Sequence, residues 1–127
     1  MDENGIGGLV VDCAVKAHMR LGPGLLERVY EVVMAYELQN RGLLVQRQLP
    51  IPITYDNLQF TEAFRADLIV NDKVILELKS IERVTKADKK QLLTYLRLSG
   101  RKVGYLLNFG EVLMKDGISR IINGKLE

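Results

Sequence analysis

The chain carries a single cysteine, Cys13, and a single histidine, His18, in 127 residues. A lone cysteine cannot close an internal disulfide, and one Cys with one His cannot build the usual four-ligand zinc site. Both fall in the same N-terminal amphipathic pattern and are read as packing residues. No glycine-flanked nucleophile accompanies His18, so serine or cysteine triad chemistry lacks its parts. The glycine-rich stretches GIGG and GPG do not have the spacing of a phosphate-cradling loop. There is no run of about eighteen apolar residues and no secretory signal with a basic start and apolar middle. Nothing therefore points to a membrane or to export, and a cytoplasmic location is expected. The final Leu126-Glu127 reads as a cloning remnant and is assigned no role.

What is present suits one domain spanning residues 1–127, since 47% hydrophobic residues can build a core at this length. Net charge is only +2, yet Arg83 to Lys102 holds seven basic residues against one acid, Asp88, so the positive charge is local.

The stretch with most chemistry is Phe64 to Lys79, FRADLIVNDKVILELK. It reads as two apolar strands around a short polar turn, carrying Asp67, Glu77 and Lys79. Side chains alternate along a strand, so Glu77 and Lys79 share a face, roughly 7 Å apart. Asp67 joins them if the loop is odd, most simply Asn71-Asp72-Lys73, with Val70 opposite Val74 and Asp67 opposite Glu77. In that register Ala66, Leu68, Val70, Val74, Leu76 and Leu78 form an unbroken apolar set on the other face. A one-residue slip would scatter charge onto the buried side, which is strongly penalised.

Two carboxylates about 5 Å apart repel by roughly 3 kcal/mol at an effective dielectric of about 20. Either one of them protonates or a cation sits between them. A hard divalent cation, Mg²⁺ or Mn²⁺, prefers such oxygens, and the Leu78 carbonyl lies between the two functional side chains. An activated water beside the Lys79 ammonium suits hydrolysis of a phosphodiester. An antiparallel hairpin also commonly has one solvated face dressed with surface ion pairs, and the hairpin alone favours that plainer reading.

Residues 6 to 21 repeat apolar positions at helical spacing, and Gly22-Pro23-Gly24 ends that helix. A second helix is expected from Gly24 or Leu25 to Arg41, burying Leu26, Val29, Val33 and Tyr36, with Gly42 as its stop. Glu27 lies in its first turn, where an acid gains from the macrodipole. Tyr30, on the same side, reads as a core or rim aromatic. Val45 to Tyr55 reads as a strand whose Pro50 and Pro52 require an edge or a bulge. Thr85-Lys86-Ala87-Asp88 has capping-box spacing and predicts a helix to Ser99 stopped by Gly100. Its inner stripe is Leu92, Tyr95, Leu96 and Ser99, with Gln91 one turn before Tyr95. Lys86, Lys90, Arg97 and Arg101 lie on an outer stripe that could track a phosphate backbone, although basic helix faces are more often merely solvated. Val103 to Phe109 suits a buried strand reached by a right-handed crossover, hence parallel to Val74 to Ser80. A short last strand is expected near Ile118 to Ile122. The fold class is α/β: a three-layer α/β/α arrangement around a mixed sheet of four to five strands.

Asp67 followed ten positions later by Glu-Leu-Lys, within helix-strand-strand-strand-helix-strand, resembles the PD-(D/E)XK nuclease superfamily and its restriction-endonuclease-like core, here with an additional N-terminal helix. A narrower resemblance spans nearly the whole chain. GLLERVY from Gly24, FRADLIV from Phe64, VILELKS from Val74, QLLTYLRLSG from Gln91 and GYLLNFG from Gly104 are similar, in order, to the GxxExxY protein family. The resemblance implies that Asp67 and Glu77 ligate a metal, that Lys79 positions or activates the water, and that Glu27 reaches the metal directly or through water. Gln91 and Tyr95 resemble the Q-x-x-x-Y element of RecB-like nucleases. Two positions depart from the pattern: Asp88 stands where a histidine often precedes the glutamine, and Ala66 stands where the superfamily's proline would be.

The leading expectation is a Mg²⁺- or Mn²⁺-dependent nuclease acting on nucleic acid, with DNA as the substrate, and a homodimer is left open. The alternative is a noncatalytic nucleic-acid- or protein-binding module on a nuclease-like scaffold. A third reading is an assembly subunit of a larger complex. With little surface for base readout, recognition of nucleic-acid shape is expected over recognition of sequence.

Overall fold

The two stretches of densest apolar character, Val74–Lys79 and Val103–Asn108, lie side by side as parallel strands at the centre of a five-stranded sheet. This computed structural model describes residues 1–125, so the Leu126-Glu127 reading falls outside it. The elements run α1 (Glu3–Leu21), α2 (Glu27–Asn40), β1 (Val45–Tyr55), β2 (Leu58–Val70), β3 (Val74–Lys79), α3 (Lys86–Ser99), β4 (Val103–Asn108), a 3₁₀ turn (Met114–Gly117) and β5 (Ile118–Ile122). Strand order is β1-β2-β3-β4-β5; only β3 and β4 are parallel. The crossover between them is α3, as a parallel pair requires.

Two cores sandwich the sheet. On one face α1 and α2 bury Ile6, Val10, Tyr30, Met34 and Leu38 against Leu68, Leu76, Leu78 and Phe109. On the other, Leu92 and Leu96 of α3 pack on Ile51, Phe64, Ala66, Ile69, Ile75 and Leu106. This is the expected three-layer mixed sheet, consistent with a restriction-endonuclease-like fold.

Local chemistry accounts for the element ends. The Thr85 side chain accepts from the Asp88 N–H while Asp88 accepts from the Thr85 N–H, a complete capping box, and Gly100 closes α3 in the left-handed region. Pro50 and Pro52 sit in β1, an edge strand whose register shifts between Ile51 and Ile53. The β2–β3 turn has the odd loop: Val70 pairs with Val74, and Asn71 and Asp72 both adopt positive φ. The Asn71 side chain takes the Leu44 N–H, which suits an Asn in a turn. Cys13 and His18 are buried, and the His18 ring pairs with the Glu111 carbonyl at 2.8 Å.

Two expectations need correction. The apolar face of the hairpin is not continuous: Leu68, Val70, Val74, Leu76 and Leu78 join the α1/α2 core, but Ala66 joins the α3 core. The cause is a kink where Gln48 adopts φ 50 and strand pairing skips the Gln48/Asp67 position between Arg47↔Leu68 and Leu49↔Ala66. The facing of β2 inverts at Asp67. The buried stripe of α2 is also rotated from the one expected. Tyr30, Met34 and Leu38 face the core, whereas Leu26 and Tyr36 are exposed. Glu31 and Glu37 are buried because each has a cationic partner, Arg47 and Lys16, so an apolar period could not show which way the helix faces.

Tyr30 ties α2 to the segment before it. Its ring stacks on Phe109 at 4.3 Å, and its hydroxyl donates to the Gly22 carbonyl (2.6 Å) and accepts from the Leu25 N–H (3.1 Å). Tyr30→Phe keeps the stack but strands both partners. We expect it to lower stability by about 1–3 kcal/mol, read as a lower urea midpoint at unchanged m-value; an unchanged midpoint would show that water replaces the hydroxyl.

Candidate active site

The β2–β3 ladder closes at Leu68↔Leu76. One position further, strand pairing gives way to side chains: the Leu78 N–H donates to Asp67 Oδ2 at 2.9 Å, and the Asp67 N–H points at Glu77 Oε1 at 3.5 Å. The parity of the hairpin thus brings Asp67 and Glu77 together where the two strands part. Glu77 is half-buried. Burial, then the charge of the neighbouring Asp67 and hydrogen bonding to its carboxylate, push the Glu77 carboxyl up to about 9; the Lys79 ammonium opposes this more weakly. The pair therefore holds a proton near neutral pH.

Lys79 is half-buried two residues beyond Glu77, and its charge also reaches Asp88 in the first turn of α3. Its strand end is held by the Phe109 N–H, which donates to the Lys79 carbonyl at 2.8 Å. The Asn108 side-chain oxygen accepts from both the Ile81 and Gly110 N–H groups. Gly110 lies so close to Ile81 that an added Cβ would come within 2.0 Å of its carbonyl oxygen.

From α3, Tyr95 approaches the carboxyl pair. Burial, then the charges of Glu77 and Asp67, raise its hydroxyl above the usual value. The Tyr95 ring stacks on Phe64, centroids 3.9 Å apart and nearly parallel. Gln91, a turn earlier, is exposed. Lys86, Lys90 and Arg97 are exposed along α3, whereas Arg101 is held at the β2–β3 turn by an ion pair with Asp72 at 2.5 Å.

Glu27 begins α2 and is exposed. It lines a groove of about 390 Å³ together with Arg28, Glu31, Arg47, Gln48 and Asp67, and Leu78 forms part of the wall. Glu31, Arg47 and Gln48 were not anticipated. Gln48 Nε2 bonds Glu31 Oε1 and also reaches Asp67 Oδ1 at 3.4 Å, while Arg47 pairs with Glu31 Oε2 at 2.9 Å. The available signal was Glu31 standing four residues after Glu27, hence on the same helix face.

Among the described residues, no three His, Cys, Asp or Glu side chains stand close enough to form a ready-made metal site. The donor chemistry nonetheless fits a hard cation. Asp67 and Glu77 present only oxygens, Glu27 lines the same groove as Asp67, and the surplus proton on the pair is what a divalent ion would displace.

A family model described as the PD-(D/E)XK nuclease superfamily matches residues 4–121. No curated protein and no solved structure matches the chain.

The raised Glu77 carboxyl makes metal-free stability pH-dependent. The folded protein keeps a proton that the unfolded chain releases at its ordinary value of 4.5. This contribution is therefore fully present below about pH 4.5 and is lost as pH rises toward about 9. In EDTA, thermal midpoints should fall between pH 5 and 9, by roughly 3 °C or more, and Glu77→Gln should flatten that dependence and raise the midpoint at pH 8. A wild-type profile that rises across this window would refute the protonated pair.

Proposed function

Because the chain belongs to the PD-(D/E)XK nuclease superfamily, we propose that it is a divalent-metal-dependent nuclease that hydrolyses phosphodiester bonds in nucleic acid, with DNA as its substrate. Superfamily membership suggests nuclease activity and nucleic-acid binding, and such nucleases generally use divalent metals. The observation that carries the proposal is the Asp67–Glu77 pair, with Asp67 held to β3 by the Leu78 N–H and Lys79 two residues beyond Glu77 on the same strand.

Asp67 and Glu77 would hold the cation, Mg²⁺ or Mn²⁺, with Glu27 and the Leu78 backbone, which line the same groove as Asp67, as further oxygen donors. The bound ion supplies charge stabilisation at the phosphoryl oxygens and a deprotonated nucleophile near neutral pH. Glu77 would release its proton on binding such an ion. Lys79 orients the attacking water and faces the charge that builds in the transition state. The Phe64–Tyr95 stack walls the carboxyl pair on the α3 side, and Gln91 orders its edge. Lys86, Lys90 and Arg97 run along α3 where a phosphate backbone could follow, with Arg101 at the end of the row. The blocks GLLERVY, FRADLIV, VILELKS, QLLTYLRLSG and GYLLNFG support placement in the GxxExxY family. Among the described residues, no helix is long and apolar enough to cross a membrane. The proposal includes a cytoplasmic protein acting alone or as a homodimer.

One observation favours a second reading, a noncatalytic nucleic-acid- or protein-binding module. Both Asp67 oxygens already have protein donors, from Leu78 and Gln48, and Glu27 remains exposed.

The two separate cleanly. Wild-type protein with Mg²⁺ or Mn²⁺ should cleave labelled single-stranded, duplex or branched DNA, while Lys79→Ala should lose cleavage by about a hundredfold or more with unchanged circular dichroism and melting. Salt-sensitive DNA binding that ignores EDTA, with no cleavage of any probe, would establish the binding module instead.

A further inference from the structure

We propose that Arg28 and Arg47 form a phosphate-binding subsite for the nucleic-acid strand, in the groove on the α2 side of Asp67, with Glu31 and Gln48 as the residues that position it. The inference rests on the nuclease reading and names a strand contact separate from the basic row on α3.

The geometry of Gln48 is the starting point. Adjacent residues in a strand point to opposite faces, yet Arg47 and Gln48 both bond one carboxylate. Arg47 Nε and Nη2 take Glu31 Oε2 at 3.3 and 2.9 Å, while Gln48 Nε2 takes Oε1. Positive φ at Gln48 permits this. It is an uncommon backbone state for a non-glycine residue, and such strain, like a strand irregularity, tends to be kept where it aims a side chain. Here it turns two neighbouring side chains to one side of β1.

Glu31 is buried and makes no contact with bulk water beyond a sliver, so its two oxygens act as a fixed anchor. It consumes two of the guanidinium donors of Arg47, the Nε–H and one on Nη2. The remaining N–H groups have no partner within this network, and the side chain is 44% exposed where it lines the groove. A planar guanidinium locked on one edge and open on the other is preorganised for a tetrahedral oxyanion. Arg28, exposed in the first turn of α2, lines the same groove. The groove is about 390 Å³, enough for a phosphate and its sugar, and it shares Asp67 with the carboxyl pair. A strand phosphate seated there would lie next to the one bound through a cation at Asp67 and Glu77.

The plainer role for Arg47 is to neutralise Glu31, and the choice of variants separates the two. Arg47→Lys keeps a cation against Glu31 and loses the open fork; Arg28→Ala removes an exposed side chain with no fold role. With Ca²⁺ replacing Mg²⁺ to suppress turnover, affinity for labelled single-stranded and duplex DNA is measured over a salt series by fluorescence anisotropy, and Mg²⁺ affinity by calorimetry without DNA. Each variant should weaken DNA binding about fivefold or more, equally for unrelated sequences, and Arg28→Ala, which removes a charge, should also lower the salt slope by about one unit. Mg²⁺ affinity and melting temperature should stay near wild type.

Retention of wild-type affinity and slope in both variants, with losses confined to Lys86→Ala/Lys90→Ala/Arg97→Ala, would overturn the groove subsite and leave the nuclease reading standing. Displacement of the probe by low concentrations of inorganic phosphate would make it a free-anion site and overturn the strand contact. Failure of wild type to bind any DNA or RNA probe would overturn both readings.

Discussion

Two carboxyl groups forced together at the end of a buried strand ladder are the constraint on which the rest of the structure depends. Asp67 and Glu77 cannot both be charged there without a cation, because burial and mutual repulsion act in the same direction. The conflict is local, and the pair relieves it by keeping a proton near neutral pH. The hairpin bears it because five apolar residues, Leu68, Val70, Val74, Leu76 and Leu78, fix its register against the α1/α2 core. A slip would relieve the carboxyl pair but would turn every one of those side chains to the wrong face.

The surrounding elements act on this pair from three directions. From the sheet, the Leu78 N–H occupies Asp67 Oδ2 in place of a ladder bond. From α3, Tyr95, stacked on Phe64, comes near the carboxyl pair, and the capping-box Asp88 comes within reach of the Lys79 charge. From α2, Glu31 collects Arg47 and Gln48 across the kink in β1 and relays that placement to Asp67 Oδ1. Tyr30 fixes the start of α2 by bonding the preceding loop, which places Glu27 at the mouth of the groove.

Much of this was legible in the residues. The odd Asn71–Lys73 loop followed from the alternation of FRADLIVNDKVILELK, the edge position of β1 from its prolines, and the α3 crossover from its capping box and the apolar run after it. The kink was not legible, because Gln48 is neither glycine nor a habitual turn residue, so nothing in its type announces positive φ. For the same reason Ala66 was placed on the wrong face. The α2 orientation was hidden by Glu31 and Glu37, whose burial depends on Arg47 in β1 and Lys16 in α1. Such pairings are settled between elements and leave no period in either one. Gln91 was grouped with Tyr95 by spacing; the helix brings Tyr95 toward the carboxyls and leaves Gln91 exposed.

The most direct test of the central pair is the proton released when a divalent ion binds. Calorimetry of Mg²⁺ or Mn²⁺ binding near pH 7.5, repeated in buffers of different ionisation enthalpy, counts that proton. Exchange of the shared proton for a cation predicts about one proton released per ion bound by wild type and none by Glu77→Gln. Ion binding with no proton release would contradict the protonated Asp67–Glu77 pair, and with it the metal site built on it.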